Sequence, residues 1–219
     1  GGLDGESVVL GAGGLSQGVF TAPGWELPER EPYTKPDPDL VMDVADISVE
    51  FGNRRILDQV SIQVRRGETL VIVGDNGCGK STLLHELASI SLGPEPLCAL
   101  VPHDVGELFV TASVREELEL ADRVAGANPG FSALTLESLA PSMGRREIGM
   151  AVGDTHPRDL SWGQQTALAI AIQMSRKPTV LALDEPTRGL DSGAAQLLRE
   201  VLSCVVETGT AVIIATHDY

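Results

Sequence analysis

The chain has 219 residues, 42% hydrophobic and 21% charged, enough for one globular core and a squeeze for two full domains. Its formal charge is −15, from 31 acidic against 16 basic side chains. Proteins that grip nucleic acid neutralise phosphates with clustered Lys and Arg, and here no basic run exceeds two residues, so a nucleic-acid partner is not expected.

Residues 1–39 differ from the rest. They hold Gly11-Ala12-Gly13-Gly14 and prolines at 23, 28, 32, 36 and 38, and read as a tail or linker with a short strand at 7–10. From residue 41 the pattern tightens. Segments 41–51 and 56–64 alternate apolar and polar residues around Gly52-Asn53, which predicts two antiparallel strands half exposed to solvent. Segment 69–73 is a short apolar strand that runs into a glycine-rich loop, then a helix over 80–90 and a strand over 97–101. A helix is expected over 113–121, with Ser113 and Glu116 in the form of a capping box. Residues 122–160 are mixed. A second clear helix covers 161–175, and Ser161 with Gln164 repeats the cap pattern. Two unbroken apolar strands, 180–183 and 211–215, flank a helix over 192–207. Such strands alternating with helices point to a parallel sheet buried on both faces, hence an α/β fold.

The loop Gly74-Asp75-Asn76-Gly77-Cys78-Gly79-Lys80-Ser81, followed by Thr82, fits the form G-x-x-x-x-G-K-[ST] between a strand and a helix. Triphosphate oxygens carry dense charge, so the loop must bring several backbone N–H groups close, and glycines at 77 and 79 permit that approach. The helix that follows aims its positive end at the phosphates. Lys80 supplies a charge for the β- and γ-phosphates, and Ser81 offers an oxygen to Mg²⁺. Cys78 contributes its backbone.

Asp184 and Glu185 follow the buried strand 180–183, at the end of a parallel strand where such sheets place ligands. Asp184 is expected to hold Mg²⁺, and Glu185 to orient or deprotonate the water attacking the γ-phosphate.

Leu160-Ser161-Trp162-Gly163-Gln164-Gln165 lies between these two motifs and resembles the LSGGQ signature of ATP-binding cassette (ABC) ATPases, with Trp162 in place of the first glycine. Gly189-Leu190-Asp191 resembles the D-loop of that family, His217 its switch histidine, and Phe51 the aromatic residue that stacks on adenine. Together these cover residues 41–219. The resemblance implies a P-loop NTPase (RecA-like) core with a parallel sheet, an antiparallel β subdomain and a helical signature subdomain. It implies ATP and Mg²⁺ as ligands and a second ABC domain as partner, in tandem or as a dimer. Ser161 and the Gly163 N–H would then meet the γ-phosphate of the partner's ATP, with Gln164 beside them. Asp191 would lie at the interface, and His217 would hold the γ-phosphate and the attacking water. The family usually has glutamine at the lid where this chain has His103, which offers a nitrogen to Mg²⁺ or to water.

The run from Asp184 through Pro186, Thr187, Arg188 and Gly189 to Asp191 resembles the version in energy-coupling factor importers. So do Leu100 to Asp104 and Ser113 to Glu117. The expected partner is thus a transmembrane coupling subunit, with the ATPase peripheral on the inner face of the membrane and segment 104–160 carrying the docking groove. Competing readings are a soluble ABC ATPase acting on nucleic acid or the ribosome, which the charge opposes, and a degenerate regulatory half, which His103 and Trp162 favour. Residues 3–28 resemble the segment that follows the switch histidine, and the chain stops before the closing strands of an ABC domain. A tandem protein is therefore expected, with 1–39 as linker and the end of a preceding domain, and 40–219 as most of the next. Cys78, Cys98 and Cys204 form no CxxC pair and no metal spacing, which reads as reduced thiols of a cytoplasmic protein. No apolar stretch reaches the ~18 residues of a membrane span.

Overall fold

The computed structural model describes residues 6–10, 39–90, 97–140, 153–187 and 190–217. Five strands form one parallel sheet: β1 (Glu6–Leu10), β4 (Thr69–Gly74), β5 (Cys98–Val101), β6 (Val180–Asp184) and β7 (Ala211–Thr216), in the order β1-β4-β7-β6-β5. β2 (Leu40–Phe51) and β3 (Arg54–Arg65) make a separate antiparallel pair, joined at the tip by Gly52-Asn53. The helices are α1 (Lys80–Ser89), α2 (Val114–Ala125), α3 (Phe131–Leu139), α4 (Trp162–Met174) and α5 (Ser192–Glu207).

The unbroken apolar strands have the predicted consequence. Leu181 and Leu183 of β6 and Val212 of β7 face one core, with α2–α5. Val180, Ala182, Ala211 and Ile213 face the other, where Leu83, Leu84 and Leu87 of α1 and the underside of β2–β3 are fully buried or nearly so. Alternate side chains thus enter opposite layers, as strand geometry requires, and neither face can be polar. Residues 7–10, expected as a strand in a linker, lie in β1, which adds to the sheet beside β4 in the register Val8↔Ile72.

α2 runs to Ala125, four residues beyond the expected end, and stops at Gly126 with φ 65°. Ser113 caps it by accepting the Glu116 N–H at 3.3 Å, but the Glu116 carboxylate takes the Ala112 N–H at 3.2 Å, so the expected box is only half formed. In α4 both halves are present between Ser161 and Gln164. Two buried carboxylates of α2 organise the chain around that helix, Glu117 the turn before it and Asp122 the mixed stretch after it. Glu117 accepts the N–H groups of Val110 and Thr111. Asp122 accepts the N–H groups of Gly130 and Ser132 and the Ser132 hydroxyl, and so supplies the cap that α3 lacks locally. All three cysteines are free, and burial pushes the Cys98 thiol up to about 12.

Candidate nucleotide-binding site

β4 is buried along most of its length and delivers the chain at Gly74 to the end of the sheet where β5, β6 and β7 also finish. The loop 75–79 turns there into α1. Gly77 has φ 80°, and a Cβ built on it would meet nothing within 4 Å, so the glycine supplies the left-handed turn and leaves open space before the loop. Gly79 has φ 110°, and its Cβ would stand 3.0 Å from Leu57 Cδ2 and 3.2 Å from the Ile56 carbonyl. It is pinned against β3, which fixes the start of α1. Asp75, Asn76 and Ser81 are exposed around this turn, while Cys78 and Thr82 are half-buried.

Lys80, the first residue of α1, is 5% exposed. Its ammonium folds back over the loop and donates to the Gly74 carbonyl at 2.7 Å and the Asp75 carbonyl at 3.2 Å. It also lies 3.3 Å from Glu185 Oε1. The glycine-rich loop and the acid pair, distant in the chain, therefore meet in space.

Glu185 has φ 50°, a left-handed conformation unusual for a residue with a Cβ, and its N–H is held by the Ala215 carbonyl at 2.8 Å. Its Oε2 is 2.5 Å from His217 Nδ1 and accepts the His217 N–H at 3.4 Å. Burial alone pushes this carboxyl up, but the hydrogen bonds and charges of His217 and Lys80 outweigh it and hold the group below the usual carboxylate range. Glu185 is thus ionised and oriented by a residue on either side.

Asp184 ends β6 at 7% exposure, and its Oδ1 has no hydrogen-bond partner among the described residues. A buried carboxylate oxygen without a donor is what a cation would satisfy, so the donor set fits Mg²⁺. His103 stands two residues beyond Val101, which pairs with Leu183, so it flanks Asp184 on the neighbouring strand end with its Nδ1 shut off from solvent. Phe51 is 68% exposed at the β2–β3 tip, on the pair of strands that carries Ile56 and Leu57 against Gly79.

The remaining expected residues form a second group. Ser161 is the exposed N-cap of α4, and Trp162 and Gly163 occupy its first turn, whose N–H groups have no carbonyl partner within a helix. Gly163 is buried on α5: its Cβ would lie 3.2 Å from that of Ala194. Gln164 accepts the Ser161 N–H at 3.0 Å. Asp191 is exposed and caps α5 through the Ala194 N–H at 2.7 Å. Gly189 and Arg188 lie outside the described residues. Two features were not read from the sequence, the Lys80–Glu185 contact and the grip of Gln165 on the Arg158 and Leu160 carbonyls. A second glutamine after the signature was the available signal for the latter.

Comparison with known proteins gives this arrangement a family. The model of the ABC transporter family matches residues 57–188. A putative ABC transporter ATP-binding protein of Streptomyces avermitilis is 37% identical over 205 residues, 84% of this chain and 35% of that protein. A putative HMP/thiamine import ATP-binding protein of Bacillus subtilis is 33% identical over 203 residues, 84% of this chain and 36% of that protein. Among solved structures, cbiO1 of Clostridium perfringens, part of the ABC transporter complex cbiONQ, superposes with a TM-score of 0.64 at 27% identity, covering 82% of this chain and 79% of that one. The chain spans about a third of the two Streptomyces relatives it matches, 35% and 33% of their length. With its P-loop fold, its acid pair and a family match over most of the domain, the chain belongs to the ABC transporter family as an ATP-binding domain.

Proposed function

We propose that this domain binds Mg-ATP between the 74–82 loop and the Asp184–Glu185 pair, and hydrolyses it to energise a membrane transporter of the energy-coupling factor importer type. The observation that carries the reading is the 3.3 Å contact between Lys80 Nζ and Glu185 Oε1. It puts the cation meant for the terminal phosphates beside the carboxylate meant for the attacking water. Asp184 and Ser81 would hold Mg²⁺, with His103 at the lid. When bound, the ion neutralises charge on the β- and γ-phosphate oxygens. Lys80 leaves its loop carbonyls for the phosphates, since an ammonium pairs more strongly with an anion than with a neutral carbonyl. Glu185 Oε1, released from Lys80, accepts the proton of the attacking water, while His217 keeps Oε2 in place. Phe51 offers its exposed ring to adenine.

The Ser161 and Asp191 group faces outward and is read as the contribution to a second ABC domain, with Ser161 and the Gly163 N–H meeting that domain's ATP. A tandem protein supplies such a partner within one chain, and relatives roughly three times as long as the matched region have room for it. The import reading is supported by the likeness to the putative HMP/thiamine import protein, and the transporter reading by the likeness to the cbiONQ component. Among the described residues no helix is long and apolar enough to cross a membrane. The membrane partner proposed for the domain is a transmembrane coupling subunit. A cavity of about 470 Å³ on α2 and α3, lined by Arg115, Leu118, Glu119, Asp122, Arg123 and Ala133, is the docking face offered for it.

The test is phosphate release by the full-length protein purified with its membrane subunits. Glu185→Gln should cut steady-state release at least about 100-fold while ATP still binds. Release at the wild-type rate would remove Glu185 from the reaction.

A further inference from the structure

The segment before α4 is held in an unusual way. Asp159 and Leu160 close a short 3-10 turn by donating to the His156 and Pro157 carbonyls at 2.9 and 3.3 Å. The next carbonyls cannot enter the helix, and each needs a donor from elsewhere. Gln165 provides it. Its own N–H is used by the helix, on the Ser161 carbonyl at 2.8 Å, so the side chain is free to fold back toward the helix start. There Nε2 donates to the Leu160 carbonyl at 2.9 Å and the Arg158 carbonyl at 3.3 Å. Gln164 meanwhile takes the Ser161 N–H. Two consecutive glutamines thus grip the loop, one by its carbonyls and one by its amide.

The loop has a second anchor. The Arg158 guanidinium donates to the Gly106 carbonyl at 3.4 Å, and the Gly106 N–H donates to the Asp104 carboxylate at 2.9 Å. The turn that follows His103 and the loop that precedes Ser161 are therefore tied together.

We infer that Gln165, assisted by Arg158, is a positioning residue of the signature segment, setting the loop 158–161 so that Ser161 and the first-turn amides of α4 face outward together. The inference rests on the proposed reading that this segment serves the ATP of a partner domain. Gln165 has no part in this domain's own nucleotide site: the Lys80–Glu185–His217 chain is formed without it. Removing its amide should therefore slow turnover and leave nucleotide binding at the 74–82 loop intact.

The experiment compares wild type, Gln165→Leu and Gln165→Lys in the full-length protein. It measures kcat and KM for ATP hydrolysis, equilibrium binding of a fluorescent ATP analogue, and the thermal midpoint. Leu keeps the size and loses the donor; Lys restores donors for the same two carbonyls. Gln165→Leu is expected to lower kcat about tenfold, with KM and analogue affinity within about twofold of wild type, and Lys should recover most of the rate. Arg158→Ala is expected to lower kcat about threefold, and its combination with Gln165→Leu to cost less than the product of the two, because both act on one loop. A wild-type kcat in Gln165→Leu overturns the inference. So does a loss in which rate, analogue affinity and thermal midpoint fall together and Lys rescues nothing, since that is the mark of a merely structural residue. If the wild-type protein itself fails to bind the analogue, the ATP-site reading is what has failed, and the inference falls with it.

Discussion

Glu185 combines a strained backbone with a fully engaged side chain. Its φ of 50° aims the carboxylate across the sheet end, and Lys80 and His217 each take one oxygen. The folded-state value of this group lies below its ordinary one, because hydrogen bonds and charges overcome burial. The unfolded chain thus binds the proton more readily. The stability that Glu185 contributes is fully present above the ordinary carboxylate range and is lost as pH falls through the lower folded-state value. Urea midpoints of wild type and Glu185→Gln, measured from pH 7 to pH 3, should show the wild-type excess shrinking with acid. A constant difference across that range would mean the carboxylate is not held in this way. Lys80, Asp184 and Glu185 stood out as candidates because phosphate and metal chemistry tolerate few alternatives at each place, and His217 because it resembles the switch histidine of the family. Their mutual contact was not, since Lys80 and Glu185 belong to separate motifs and only the sheet order brings them together.

Among the elements, the regular ones were legible and the stretch 122–160 was not. Periodicity fails there because α3 does not start on a local cap. Its N-cap is Gly130, and the cap oxygen comes from Asp122 on α2. Asp122 is 3% exposed and accepts three hydrogen bonds, so its removal leaves buried donors unmet. Asp122→Ala is expected to cost about 3 kcal/mol in chemical denaturation, and an unchanged midpoint would show that α3 stands without this cap. The antiparallel pair was read correctly in kind but not in regularity: register shifts near Val44, Ile47 and Val49 interrupt the alternation. At the other extreme, β6 and β7 were plain because two buried faces keep 180–183 and 211–215 apolar, with the polar Asp184 and Thr216 only at the strand ends.

At the scale of the whole molecule, one sheet end gathers Lys80, Asp184, Glu185 and His217, the residues proposed to address this domain's own phosphates, with Phe51 on the separate β2–β3 tip, while the α4 and α5 starts present a separate outward group. That division explains why the domain would be half of a catalytic unit. Gly163, buried on Ala194, keeps the two helix starts side by side, so the outward group is built into the packing. The strong negative charge fits a partner other than nucleic acid. β1, expected within a linker, instead extends the sheet beside β4, and its five residues carried too short a pattern to place it from sequence.

The most direct measurement is equilibrium binding of ATP, with Mg²⁺ present, to the full-length protein and to its Lys80→Ala variant. If backbone amides and this ammonium gather the terminal phosphates beside the acid pair, the variant should bind at least about 100-fold more weakly, with its fold intact by circular dichroism. Equal affinity in the two proteins would contradict the account.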